Sequence, residues 1–139
     1  MNWDKMAKIA AAAVGAVAGW FGKWDATLTI LAILMAVDYV SGLMVAACGR
    51  SPKTAAGGLS SRAGFVGIAR KGFIMLIVLL ATLLDRAVGN QAMVFQSAAT
   101  CYYIANEGLS ILENAVLLGV PVPGKVRGAL EELRDGAEK

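Results

Sequence analysis

Histidine is missing altogether from the 139 residues, which removes the usual general base at neutral pH and the commonest metal ligand. Cysteine is scarce: Cys48 and Cys101 both fall inside apolar runs and match no metal-ligand spacing. Charge is thin as well, at 17% of residues, and it comes at intervals along the chain. These absences argue against a metalloenzyme, a disulfide scaffold and a disordered tail. No nucleophile has a plausible base, no glycine-rich loop follows a strand, and no internal repeat is evident. Neither an enzyme nor a bound cofactor or metal is expected, and an inverted-repeat transporter is disfavoured. What is present is apolar: 58% of residues are hydrophobic, against ~45–50% in an ordinary soluble domain. So short a chain cannot bury that much apolar surface in its own core, so lipid is the natural solvent.

Four apolar blocks predict an all-α integral membrane protein of about four spans, near residues 6–23, 26–48, 71–88 and 91–118. They form one transmembrane domain over residues 1–120, followed by a cytoplasmic tail, 121–139. Only the second block reaches the roughly 20 apolar residues that a span needs by itself. The first and third reach the interfaces through snorkelling of Lys8, Lys23 and Lys71. Trp3 at one end of the first block and Trp20 and Trp24 at the other mark two headgroup belts. An alternative for that block is a cleaved signal peptide, since Ala16-Val17-Ala18 follows Lys5, Lys8 and an apolar stretch. Three spans then remain.

Charge sets the orientation. Between residues 49 and 71 the chain carries Arg50, Lys53, Arg62, Arg70 and Lys71 and no acid, which predicts a cytoplasmic basic loop and both termini cytoplasmic. Ser60 or Ser61 is positioned to cap a short interfacial helix from Arg62 to Lys71 within that loop. Its cations suit anionic lipid headgroups; nucleic acid is not expected as a partner. Past Pro121 and Pro123, Val126, Leu130 and Leu133 make a weak apolar stripe in a tail whose charges balance. That tail reads as solvated and partly helical.

Three features are candidates for function. Gly15 and Gly19, with Ala11 one step upstream, put small residues on one helix face for close packing within or between chains. Asp38 sits in the middle of the second block, where a carboxylate costs roughly 2.5–3.5 kcal/mol on the insertion scale and must face protein or water. Ser41 and Gly42 extend a small polar face beside it. In the fourth block, Gln96, Thr100, Tyr103, Glu107, Ser110 and Asn114 follow spacings of 4, 3, 4, 3 and 4. At ~100° per residue they share one helix face, widened by Asn106 and Glu113. Ala98, Ala105, Leu109, Leu112 and Val116 take the opposite, lipid-facing side. The polar stripe reads as a bundle seam or an aqueous lining made by several copies.

The ordered motifs Asp38-Tyr39-Val40-Ser41-Gly42, Ser60-Ser61-Arg62-x-Gly64-Phe65-x-Gly67-Ile68-x-Arg70-Lys71 and Asn106-Glu107-Gly108-x-Ser110-Ile111-Leu112-Glu113-Asn114, with Leu118-Gly119-x-Pro121-x-Pro123, resemble the toxin secretion/phage lysis holin family. With Trp24-Asp25 the likeness runs from residue 24 to about 133. Ser41 stands where that family often has threonine. The resemblance implies a self-associating protein of the bacterial host's cytoplasmic membrane, which accumulates harmlessly and then opens lesions that pass an endolysin or a toxin. It also raises the question of two translation starts; Met6 following Met1 reads as a chance methionine. The alternative function is a small ion channel or transporter with a fixed pore, using Asp38 and Glu107 as ion sites. A purely structural membrane scaffold is the third.

Overall fold

Polar side chains set where the helices begin. The computed structural model describes residues 2–139, in which Asn2, Asp25 and Ser60 each accept a backbone hydrogen bond from the residue three further on, at 3.2, 2.9 and 3.3 Å. Helices α1 (Trp3–Phe21), α2 (Ala26–Ala47) and α3 (Ser61–Ala87) follow those caps directly. Two further helices, α4 (Val94–Leu117) and α5 (Gly124–Glu138), complete an all-helical chain. Met1, and with it the question of two starts, lies outside the described residues. At the α1–α2 turn Gly22 adopts a φ of 74°, and the Arg86 guanidinium lies where a Cβ would stand, so glycine is required there.

α2 and α3 are long and apolar enough to cross a membrane. Only 28% and 17% of their apolar windows are buried inside the chain, so neither is the hidden core helix of a soluble protein. Ile33, Val40, Phe73 and Leu80 are among the large apolar side chains left outside. The inward apolar core joins Phe21, Leu28, Leu31, Met35, Val78 and Leu79. α4 is the central element and packs against α2, α3 and α5. That position buries Ala105 and Leu109, two residues expected to face lipid.

Two further expectations, both about helix bounds, need correction. The short helix from Arg62 to Lys71 and the apolar block behind it form one continuous 27-residue helix, about 40 Å long. Arg62, Arg70 and Lys71 therefore sit on α3, and only Arg50 and Lys53 are in a loop. The lone Gly72 at the junction costs about 1 kcal/mol, too little to break a helix whose Lys71 has found partners inside the bundle. The tail, expected to be solvated and only partly helical, is a full helix folded back on α4. The physical reason is Gly108: its missing side chain makes room for Leu130, whose Cδ2 lies 2.9 Å from where a Cβ would stand.

α1 is the least attached element. Its backbone runs close to α3 alone, Phe21 is its sole buried residue, and nothing from the rest of the chain comes within 4 Å of a Cβ placed at Gly15 or Gly19.

Candidate functional site

Asp38 stands nine residues before the end of α2, Lys71 ten after the start of α3, and Glu107 ten before the end of α4. Because the neighbouring helices run in alternating directions, all three lie at one level, about 15 Å from the same end of the bundle. The Lys71 Nζ donates to Asp38 Oδ2 at 2.7 Å and to Glu107 Oε2 at 2.5 Å. Their side chains are 16%, 9% and 8% exposed, so the charges are largely withdrawn from water. One ammonium bridging two carboxylates ties three helices at a single point. Removing one member of a buried pair typically costs 3–5 kcal/mol, because it strands a charge.

Further polar contacts complete the seam. Asn114 donates its amide to Ser41 Oγ at 2.8 Å and to Asp38 Oδ1 at 3.4 Å, while the Ser41 hydroxyl donates back to the Asp38 carbonyl at 3.0 Å. Gly42 faces the same contact: a Cβ there would lie 3.9 Å from the Asn114 amide nitrogen, an ordinary packing distance, so the seam does not depend on glycine at that position. Of the predicted stripe, Gln96, Thr100, Glu107 and Asn114 are buried, Tyr103, Asn106 and Ser110 are half-buried, and Glu113 is exposed. The structure thus turns most of the stripe toward α2 and α3 of the same chain. No buried side-chain nitrogen or oxygen among the described residues lacks a hydrogen-bond partner.

A second polar cluster, which sequence reasoning missed, lies at the opposite end of the bundle. Asp85, fully buried, accepts from the backbone N–H of Phe95 at 3.0 Å and of Gln96 at 2.8 Å, and from the Asn90 amide at 3.0 Å. Met93, the residue before α4, has a left-handed backbone and no capping side chain, so α4 takes its N-cap from α3. Gln96 also donates to the Thr82 hydroxyl at 2.7 Å, and Thr82 to the Val78 carbonyl at 2.9 Å. The available signal was an acid in the last turn of the third apolar block, next to the loop that leads into the fourth.

The basic residues separate into three roles. Lys71 belongs to the buried seam and does not snorkel to an interface. Arg50 donates to the Leu117 carbonyl at 3.3 Å, closing the C-terminus of α4. Lys53, Arg62 and Arg70 are exposed and border an open cavity of about 1240 Å³ between the α2–α3 connection, α3 and α4. Gly15 and Gly19 lie apart from all of these.

Compared with known proteins, the chain matches the bacteriophage holin family over residues 15–135. It is 37% identical over 123 residues to an uncharacterised 14.9 kDa protein of Clostridium perfringens, covering 88% of each chain. To an uncharacterised protein of Halalkalibacterium halodurans it is 36% identical over 135 residues, 94% of each chain. A protein of Bacillus phage phi105 named "Probable holin" is 32% identical over 104 residues, 74% of this chain and 70% of that one. No solved structure matches significantly.

Proposed function

The chain belongs to the bacteriophage holin family, and from that premise we propose that it self-associates in the bacterial cytoplasmic membrane and opens lesions that release an endolysin or a toxin. In this reading α1 to α4 all cross the bilayer, both termini are cytoplasmic, and the level of Lys71 lies toward the cytoplasmic face. The observation that carries it is the closed polar seam: the hydrophilic face of α4 is matched by α2 and α3 of its own chain. A subunit with its polar face so hidden can accumulate in lipid without leaking. The same face, once parted from α2 and α3, needs water or another polar surface, so two assemblies compete. Holins are not an enzyme family, and the reading requires no catalysis.

The test is inducible expression in bacteria, following membrane potential together with release of a folded cytoplasmic reporter. A silent interval followed by abrupt depolarisation and reporter release supports the holin reading. Gradual depolarisation with the reporter retained supports a fixed-pore channel. No permeability change at full membrane abundance leaves the scaffold.

A further inference from the structure

The cavity beside the seam has an amphiphile's polarity. One side of it is cationic: Lys53 on the connection and Arg62 and Arg70 on α3 border it. Among the described residues the ion pairs are those of Lys71 and that of Arg134 with its neighbour Asp135, so these three cations have no carboxylate partner. The cavity's own acids do not cancel them. Asp38 and Glu107 are held by Lys71, which leaves only Glu113 against three free cations. The other side is apolar, with Phe73 and Ile77 one and two turns along α3 from the basic residues and both exposed.

The loop that carries Lys53 has a defined backbone. Ser51 N–H donates to the Gly57 carbonyl at 2.9 Å, Lys53 N–H to Ser51 Oγ at 3.2 Å, and the Thr54 hydroxyl to the Gly58 carbonyl at 2.8 Å. Gly57, with a φ of 76°, packs against the Gly49 carbonyl where no Cβ could fit. The backbone at Lys53 is therefore set at the cavity's edge by a loop with its own internal bonding.

We propose that this cavity seats one anionic phospholipid, its phosphate held by Lys53, Arg62 and Arg70 and an acyl chain laid against Phe73 and Ile77. The inference rests on the membrane-embedded reading above. A soluble phosphate compound matches the cations but leaves the apolar wall uncovered, whereas a lipid matches both. Arginine suits the role because its planar fork pairs with phosphate oxygens two at a time.

The experiment is native mass spectrometry of the full chain extracted in detergent, titrated with phosphatidylglycerol, with phosphatidylcholine of the same acyl chains, or with inorganic phosphate. One phosphatidylglycerol is expected to be retained per chain, in preference to phosphatidylcholine and unaffected by excess phosphate. Replacing Lys53, Arg62 and Arg70 with Gln together is expected to weaken retention on the order of 100-fold, about fivefold per cation. Replacing Lys5, Lys8 and Lys125 with Gln removes the same charge away from the cavity and is expected to leave retention intact. Equal retention of the two lipids, displacement by phosphate, or an equal loss in the second variant each overturns the seat. If the triple variant does not fold, the three single substitutions decide, and no weakening in any of them overturns it equally. Wild-type protein recovered outside the membrane fraction is a different result, and it overturns the membrane reading itself.

Discussion

Asp85 and the Asp38–Glu107 pair are carboxylates buried in the same bundle by opposite means. Asp85 is met only by N–H donors, two from backbone and one from an amide, and no cation is near enough to pair with it. Its partners are fixed by the hairpin between α3 and α4, so the site has one arrangement. Asp38 and Glu107 instead share a single ammonium on a flexible four-carbon stem, beside an open cavity. A hydrogen-bonded cap holds geometry; a shared counter-ion holds charge, and charge can be re-partnered when helices move. On the proposed reading, the difference separates a structural acid from two that a change of assembly would recruit.

The sharpest way to break the contrast is Lys71→Met. It strands two carboxylates in a low-dielectric seam, and a loss of about 3–5 kcal/mol is expected in thermal unfolding in detergent. A loss below about 0.5 kcal/mol would show that Asp38 and Glu107 are already wet. Next comes Asp85→Ala, which unpairs the first turn of α4 and is expected to cost about 1–3 kcal/mol. Hydrogen exchange separates the two variants: the Phe95 and Gln96 amides lose protection in Asp85→Ala and keep it in Lys71→Met, and identical patterns would erase the distinction drawn here.

Glu107→Leu probes re-partnering directly. It leaves Lys71 and Asp38 as a one-to-one pair, so membrane abundance is expected to hold while the time of lysis shifts; unchanged timing removes Glu107 from the mechanism. Smallest in stability is Gly15→Leu, expected to alter unfolding by less than about 0.5 kcal/mol because its surroundings are empty. Cross-linking between copies is its informative readout, and an unchanged pattern would take the Gly15–Gly19 face out of any interface.

How much of this was legible in the sequence depended on whether the signal was local. The bounds of α2 agree to within a residue, because Asp25 is a local cap and the apolar run behind it is unbroken. The all-helical class follows from apolar blocks of helical length. The stripe from Gln96 to Asn114 was legible because a 3.6-residue period is a property of one segment. What it faced was not, since periodicity identifies a face and says nothing of the neighbour covering it. Lys71 shows the limit most clearly: next to Arg70 it has the pattern of a membrane-edge pair, yet α3 turns the two apart, one outward and one onto acids 33 and 36 residues away in the chain. The docking of α5 failed to show for a similar reason. Gly108 looks like any glycine in a helix until Leu130 is seen lying on it.

Because α4 takes its first-turn hydrogen bonds from α3, the order of synthesis matters. When α4 leaves the ribosome, α3 already presents Asp85 at one end and Lys71 near the other, so the emerging segment meets both a ready cap and a counter-ion for Glu107. α4 thus joins an existing hairpin partner, and its polar face is matched from within the chain. If the chain works as proposed, newly made protein enters the membrane with its polar face already covered, and any delay before opening starts from a uniform population.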